Sequence, residues 1–368
     1  MQHLATESVK RLDSTGAPYP MLGGADNGVV CGCDTCTAAY ETYGVGGVHI
    51  RYLNQIATYM EEIYTERGED REFVLYGLAY LGYLESPTTP DANGEPVALD
   101  ESVYCNENVG ICYTPLGACW THALDDEECT TNSYENYYYY HLKGYDLLTD
   151  NLVVYGYTTN FNEYFIPFND WDSYKENAEL YQKHGVKYVF HQGNTHNETS
   201  PFQSLRIYLQ GKLAWNPTVN VDETISDFME HYYGAAAKDM RRFYDDQAEH
   251  FEWIRSKKLS EGVTNAYGNA HAEVTDKAYW SYDTLQRFQT TLNAALNAIA
   301  VSDATEEEKA QQSKNVYKEY VMVKMYEYLQ FSEYYTVEQK AAVKAELQTA
   351  MQELGITRSA EHVMLELQ

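Results

Sequence analysis

No run of apolar residues in this 368-residue chain is long enough to span a bilayer as a helix. The opening stretch MQHLATESVKRLDS lacks the apolar core of a secretory leader. A cytoplasmic protein, or one whose true start lies elsewhere, is the expectation from that segment. No glycine-rich fingerprint opens any of the helix-like segments, which argues against a dinucleotide-binding sheet. Basic residues are scarce: 26 Lys and Arg stand against 55 Asp and Glu, a formal charge of -29. Such a field repels phosphate backbones and anionic lipid, so neither nucleic acid nor a membrane is an expected partner. Internal repeats and long low-complexity tracts are missing too.

Tyrosine, by contrast, occurs 36 times, in clusters such as Tyr137 to Tyr140. Its ring stacks while its hydroxyl hydrogen-bonds, a combination that suits sugar faces, although most copies are expected to be half-buried packing. Seven cysteines leave at least one thiol unpaired within the chain. Cys31, Cys33 and Cys36 sit at metal-like spacing. They fit a structural zinc with Cys105, Cys112, Cys119 or Cys129 as fourth ligand, a disulfide arrangement, or free thiols.

Five apolar, strand-like runs alternate with helix-like segments: Pro20–Asp26, Phe73–Tyr80, Asn108–Tyr113, Leu152–Tyr157 and Lys187–His191. Between the first two, Ile50, Leu53, Ala57 and Met60 recur at helical spacing. Ser200-Pro201 reads as the cap and first position of a helix carrying Leu205, Leu209 and Leu213. A helix with Val221, Ile225, Phe228 and Tyr232 follows and closes at Gly234. Beyond about Ala235 the strand signals stop. Leu285, Phe288, Leu292, Leu296 and Ile299 form one helical stripe, and Thr305 with Glu308 and Thr336 with Gln339 form capping boxes. Ser86 to Pro96 reads as a surface loop. Alternating strands and helices predict a parallel sheet wrapped by helices, either an open sheet or part of a barrel, followed by a helical bundle.

Several segments, in order, resemble a family of bacterial glycoside-hydrolase-like barrel proteins known as a domain of unknown function, with α-glucuronidases and β-hexosaminidases as more distant kin. They are ADNGVVCGCDTC (25–36), HIRYLNQIA (49–57), LAYLGY (78–83), ICYTPLGACWTHAL (111–124), YGYTTNFNEYFIPF (155–168), GVKYVFHQGNTH (185–196) and LQGKLAWNPTVNVDETISDFMEHYYG (209–234). The resemblance implies a (β/α)8-type barrel over residues 1–235, of which this chain holds the last five βα units, and an all-α region over 236–368. It implies a carbohydrate substrate, no cofactor for catalysis, and an extracellular or periplasmic location, with the cytoplasm left open by the missing leader. The first strand here would be the barrel's fourth, so three βα units are expected upstream, as the missing N-terminal part of the same protein or as another chain. Two positions depart from the family pattern: Tyr155-Gly156-Tyr157 lacks the acid expected at the end of the seventh strand, and His191 replaces the acid expected at the eighth.

Residues at the C-terminal ends of barrel strands line the site. Glycoside cleavage needs one carboxyl to protonate the leaving oxygen and a second as base or nucleophile, unless the substrate supplies its own. Asp26 and Glu163 are the expected catalytic pair. Asn27, Tyr80, His122, Tyr157, Asn160, His191, Gln192 and His196 are the expected substrate contacts. Asp26, following an apolar strand and two glycines, is expected to face aromatic walls formed by Tyr80 and Tyr157 or, equally, to cap the Cys31–Cys36 loop by accepting its backbone amides; for Glu163 the reading as an exposed loop acid outweighs the catalytic one. Trp171 and Trp215 are candidates for sugar stacking or for packing. A non-catalytic carbohydrate-binding barrel is the competing expectation.

Overall fold

The computed structural model describes residues 1–24, 26–129, 131, 137–261 and 275–367. In chain order it contains α1 (Gln2–Thr15), β1 (Met21–Leu22), α2 (Asp34–Glu66), β2 (Leu75–Ala79), a hairpin of β3 (Thr88–Pro90) and β4 (Pro96–Ala98), and β5 (Val109–Tyr113). Then come α3 (Tyr137–Leu148), β6 (Leu152–Tyr157), α4 (Tyr174–Lys183), β7 (Val189–Gln192), α5 (Gln203–Trp215), α6 (Val221–Tyr233) and α7 (Ala237–Ser260). The chain ends with α8 (Tyr282–Ala300), α9 (Glu306–Phe331), α10 (Val337–Glu353) and a hairpin of β8 (Arg358–Ala360) and β9 (Val363–Met364). It divides into two compact units. Unit 1 comprises Met1–Ala118, Leu124–Gly156 and Glu179–His191; unit 2 comprises Cys119–Ala123, Tyr157–Ala178 and Gln192–Gln368. The division expected at residue 235 therefore falls inside unit 2, because α5 and α6 pack with the later helices.

All five expected strands are present, in the order β1-β2-β5-β6-β7. The pairings of β1 with β2, β2 with β5 and β5 with β6 are parallel. Strand order equals chain order, so the winding never reverses, as in a barrel wall and unlike a doubly wound sheet. This is a five-stranded parallel sheet in a mixed α/β protein, not a closed eight-stranded barrel.

One sheet face packs on helices: Gly77 lies so close to Leu53 of α2 that a methyl there would sit 2.2 Å from Leu53 Cδ1, and Tyr113 meets Tyr145 of α3. Ile50, Leu53, Ala57 and Met60, the predicted stripe, are all fully buried, as is Ile56 beside them. The long α2 breaks at Gly44, whose φ of 70° is a conformation that glycine tolerates and side chains resist. The other face carries Tyr76, Cys112 and Val153, with Val74, Leu78 and Tyr155 around them. Tyr188 packs on Tyr76 and Phe190 on Tyr155, yet both remain exposed, by 43% and 49%. This face is apolar and half open to solvent.

Gly110 pairs with Tyr76 across the sheet, beneath its ring. A Cβ at this position would lie 2.4 Å from the Tyr76 ring and 2.6 Å from the Asn151 carbonyl oxygen. The carbonyl cannot swing aside, so Gly110→Ala is expected to destabilise unit 1 by about 1–3 kcal/mol. A urea midpoint equal to the parent's would contradict it.

Unit 2 is mainly helical. Its core runs from Phe165 and Trp171 through Leu205, Leu209, Phe228, Phe243, Phe288, Leu292 and Tyr326 to Leu347 and Leu365. Both predicted capping boxes form at α9 and α10, and α6 ends at Gly234 as expected. Three expectations need correction. Helix α5 starts at Gln203, not Pro201: Ser200 and Pro201 form a turn closed by Gln203 N–H on the Ser200 carbonyl at 3.1 Å. Ser86 is buried, and Thr88 to Ala98 is a hairpin rather than an open loop. Strands do recur after residue 235, as β8 and β9.

Candidate functional site

In unit 1, the segments that leave β1 and β2 lie against each other through small residues. A methyl on Gly24 would meet the Tyr83 ring at 2.8 Å, and one on Gly82 would meet the Gly28 carbonyl oxygen at 2.7 Å. Leu81, next to Tyr80, is held at φ 48°, a strained value for a side-chain-bearing residue of the kind that clusters at functional sites. Asp26 and Asn27 form the turn after β1, and both are exposed. The Asn27 carboxamide oxygen accepts the Val29 N–H at 3.0 Å, which fixes the turn. Asp26 is thus exposed and not enclosed by aromatic walls. His49 of α2, which the sequence reading passed over as a site residue, stacks within 4.9 Å of Tyr83. Its Nε2 is buried with no hydrogen-bond partner among the described residues, and burial lowers its pKa to about 4, so the ring is neutral. The only sequence signal was a histidine between Val48 and Ile50 on a helix's inner face.

Unit 2 holds Cys119–Ala123, after β5, and the segments that follow β6 and β7 in the chain, and with them most of the other expected contacts. Tyr157 packs between Trp120 and Phe161, each with ring centroids 6.0 Å away. Thr158 donates to the Gln192 carbonyl from its N–H at 2.8 Å and from its hydroxyl at 3.1 Å. Asn160 is buried and accepts the Asn162 N–H at 2.9 Å. His122 Nδ1 lies 3.2 Å from Cys119 Sγ and is electrostatically coupled to Asp172. His196 Nδ1 meets the Tyr164 hydroxyl at 3.1 Å, while Asn194 Oδ1 accepts the His196 and Asn197 N–H groups. The Asn194 side chain thus shapes the turn that carries His196. Two buried donors, Trp120 Nε1 and Asn194 Nδ2, have no partner among the described residues.

Glu163 is buried, 7% exposed, and not the exposed loop acid that the sequence reading favoured. Its carboxyl accepts the Phe165 N–H at 3.0 Å and makes no ion pair among the described residues. Burial raises its pKa to about 8, against the lowering pull of the Phe165 and Tyr164 amides, so it holds its proton at neutral pH.

The β8–β9 hairpin fixes this group. Tyr164 N–H donates to the Ser359 carbonyl at 2.8 Å and Glu361 N–H to that of Phe161 at 2.9 Å. Asn197 accepts the Thr357 and Arg358 N–H groups at 2.8 and 3.0 Å and donates to the Arg358 carbonyl at 2.9 Å. The hairpin lies more than 150 residues along the chain from these partners, and nothing in the local sequence of either announces the pairing.

Trp171 is buried against the Arg206 guanidinium, 4.3 Å from its ring, and is a packing residue, whereas Trp215 at the end of α5 is 92% exposed. Asp26, Asn27, Tyr80 and His191 belong to unit 1; Glu163, His122, Tyr157, Asn160, Gln192 and His196 belong to unit 2. The expected carboxylate pair is therefore divided between the units.

A family model described as Domain of unknown function (DUF4838) matches residues 3–245, well over half of the sequence. The chain belongs to this family. The match spans the β-sheet of unit 1 and, in unit 2, the loop of Glu163, α5, α6 and the start of α7. Within the DUF4838 member described here, the β8–β9 hairpin that braces Glu163 lies outside the matched stretch. No curated protein matches the sequence.

Proposed function

We propose that this DUF4838 protein is a glycoside-hydrolase-like protein acting on a glycan, with Glu163 as the group that protonates the leaving oxygen. The carrying observation is the buried carboxyl of Glu163, held by main-chain amides rather than by a cation, on the segment that follows a parallel strand. A general acid must keep its proton at working pH, and a desolvated carboxyl does so. Aromatic rings of Trp120, Tyr157 and Phe161, with unpartnered donors on Trp120 and Asn194, supply stacking faces and hydrogen bonds of the kind sugar hydroxyls accept. His122, Asn160, Gln192 and His196, which belong to the same unit as Glu163, are the polar contacts of this reading. The half-open aromatic face of the sheet is where further βα units of a longer polypeptide would pack.

A non-catalytic carbohydrate-binding role is favoured by a different observation. Gly156 and His191 stand where the resembling family carries acids, and Asp26 is exposed in a different unit from Glu163. A panel of aryl glycosides, including uronides and N-acetylhexosaminides, separates the readings. Turnover that falls by about 10²–10⁴ in Glu163→Gln, with the fold intact, is the expected result. Undiminished turnover in that variant would remove Glu163 from the chemistry. Glycan binding by the parent with no turnover on any member of the panel would establish the binding role instead.

A further inference from the structure

The β1–α2 segment contains chemistry that glycoside cleavage does not use. Cys31, Cys33 and Cys36 are unpaired thiols whose sulfur atoms all lie within 4.8 Å of one another. Sulfurs around a tetrahedral zinc, at metal–sulfur bonds of about 2.3 Å, stand about 3.8 Å apart, so small side-chain adjustments bring all three into coordination. The scaffold is set by α2. Cys33 caps its N-terminus in extended conformation, φ −75° and ψ 155°, and Cys36 lies in its first turn, where the Thr37 N–H donates to the Cys33 carbonyl at 2.9 Å.

We propose that Cys31, Cys33 and Cys36 form a three-thiolate site for one Zn²⁺, with the fourth position left to solvent. Cys31 and Cys33 are exposed and Cys36 is half-buried, so the open position faces outward. Binding releases the thiol protons to the buffer, and the resulting single negative charge sits at the positive end of a helix. The site needs no sugar and stands or falls separately from the glycosidase reading.

The test uses the full chain after reduction and removal of reductant. Zn²⁺ in competition with a chromophoric chelator is expected to bind with a tight stoichiometry of one. Cd²⁺ is expected to produce a thiolate-to-metal charge-transfer band, and the Co²⁺ spectrum to shift on adding imidazole. Bound Zn²⁺ is expected to protect Cys31, Cys33 and Cys36 from alkylation, as mapped on peptides of the unmodified protein. Changing the three residues to Ser, with the other four cysteines kept, should weaken binding by about 100-fold or more. Equal affinity in the triple-Ser variant, alkylation of the three thiols unaffected by Zn²⁺, or their closure into a disulfide that excludes metal would overturn the site. A Co²⁺ spectrum indifferent to imidazole would overturn its open position.

Discussion

Replacing Arg206 with Met is expected to destabilise unit 2 by about 3–5 kcal/mol, the largest effect anticipated for any single side chain here. Arg206 and its partner Asp170 are 6% and 1% exposed. The guanidinium pairs with the Asp170 carboxylate and donates to the Tyr174 hydroxyl at 3.1 Å and the Phe168 carbonyl at 3.2 Å, while its plane lies over Trp171. Asp170 also accepts the Tyr174 hydroxyl proton. Met fills much of the arginine's volume, so the loss is electrostatic: a carboxylate and a carbonyl stay buried without their cation. Urea unfolding measures it. Since the cost is that of the orphaned charge, adding Asp170→Asn to the Met variant should restore a large part of the loss. A single variant within about 1 kcal/mol of the parent would show that water or a neighbour replaces the guanidinium at little cost.

The second large effect is a dependence of stability on pH that runs opposite to that of ordinary salt-bridged acids. Burial lifts Glu163 to about 8, and it lifts Glu319 to about 7 despite the Phe202 N–H, Lys318, Arg206 and Tyr233 around it. In the unfolded chain both titrate near the usual carboxylate value. Between that value and the folded one, the native state binds more protons than the unfolded state, so stability falls as pH rises. The contribution is complete below about pH 4.5 and is lost progressively through pH 7 to 8. At about 1.4 kcal/mol per pKa unit, the two together represent several kcal/mol as an upper bound. The overall charge of -29 adds its own repulsion at high pH. The informative quantity is therefore the difference in slope between the parent and Glu163→Gln or Glu319→Gln, from urea midpoints between pH 5 and 8.5. Both Gln variants should flatten the profile, Glu163→Gln more than Glu319→Gln. Parallel profiles would mean that these carboxyls are not buried as acids.

The sheet was legible because each strand is a short apolar run and each helix between them carries a stripe at 3.6-residue spacing; Ile50 to Met60 and Leu285 to Ile299 landed where their periodicity put them. Capping chemistry located the starts of α9 and α10 because the reciprocal bonds of Thr305 with Glu308 and Thr336 with Gln339 are local. Where the interaction was long-range, sequence reading failed. The β8–β9 hairpin has short strands with no strong alternation, and its partners, Phe161, Tyr164 and Asn197, lie far back in the chain. Asp26 and Glu163 exchanged environments relative to expectation for the same reason. Asp26 is exposed after its two glycines, whereas the segment of Glu163 is held by residues remote in sequence, the Ser359 carbonyl and the Glu361 N–H. His49 looked like one polar interruption in an apolar helix, and only the tertiary stacking with Tyr83 distinguishes it.

The division into two units has an optical consequence. All five tryptophans, Trp120, Trp171, Trp215, Trp253 and Trp280, belong to unit 2, whereas the aromatic residues of unit 1 are tyrosine and phenylalanine. Trp120, Trp171 and Trp280 are buried, and Trp215 and Trp253 are exposed. Light at the red edge of aromatic absorption therefore excites only one half of the molecule, and the colour of its emission follows the melting of that half. The protein carries its own reporter for unit 2, and a far-ultraviolet signal that lags or leads it isolates the behaviour of unit 1 without any label.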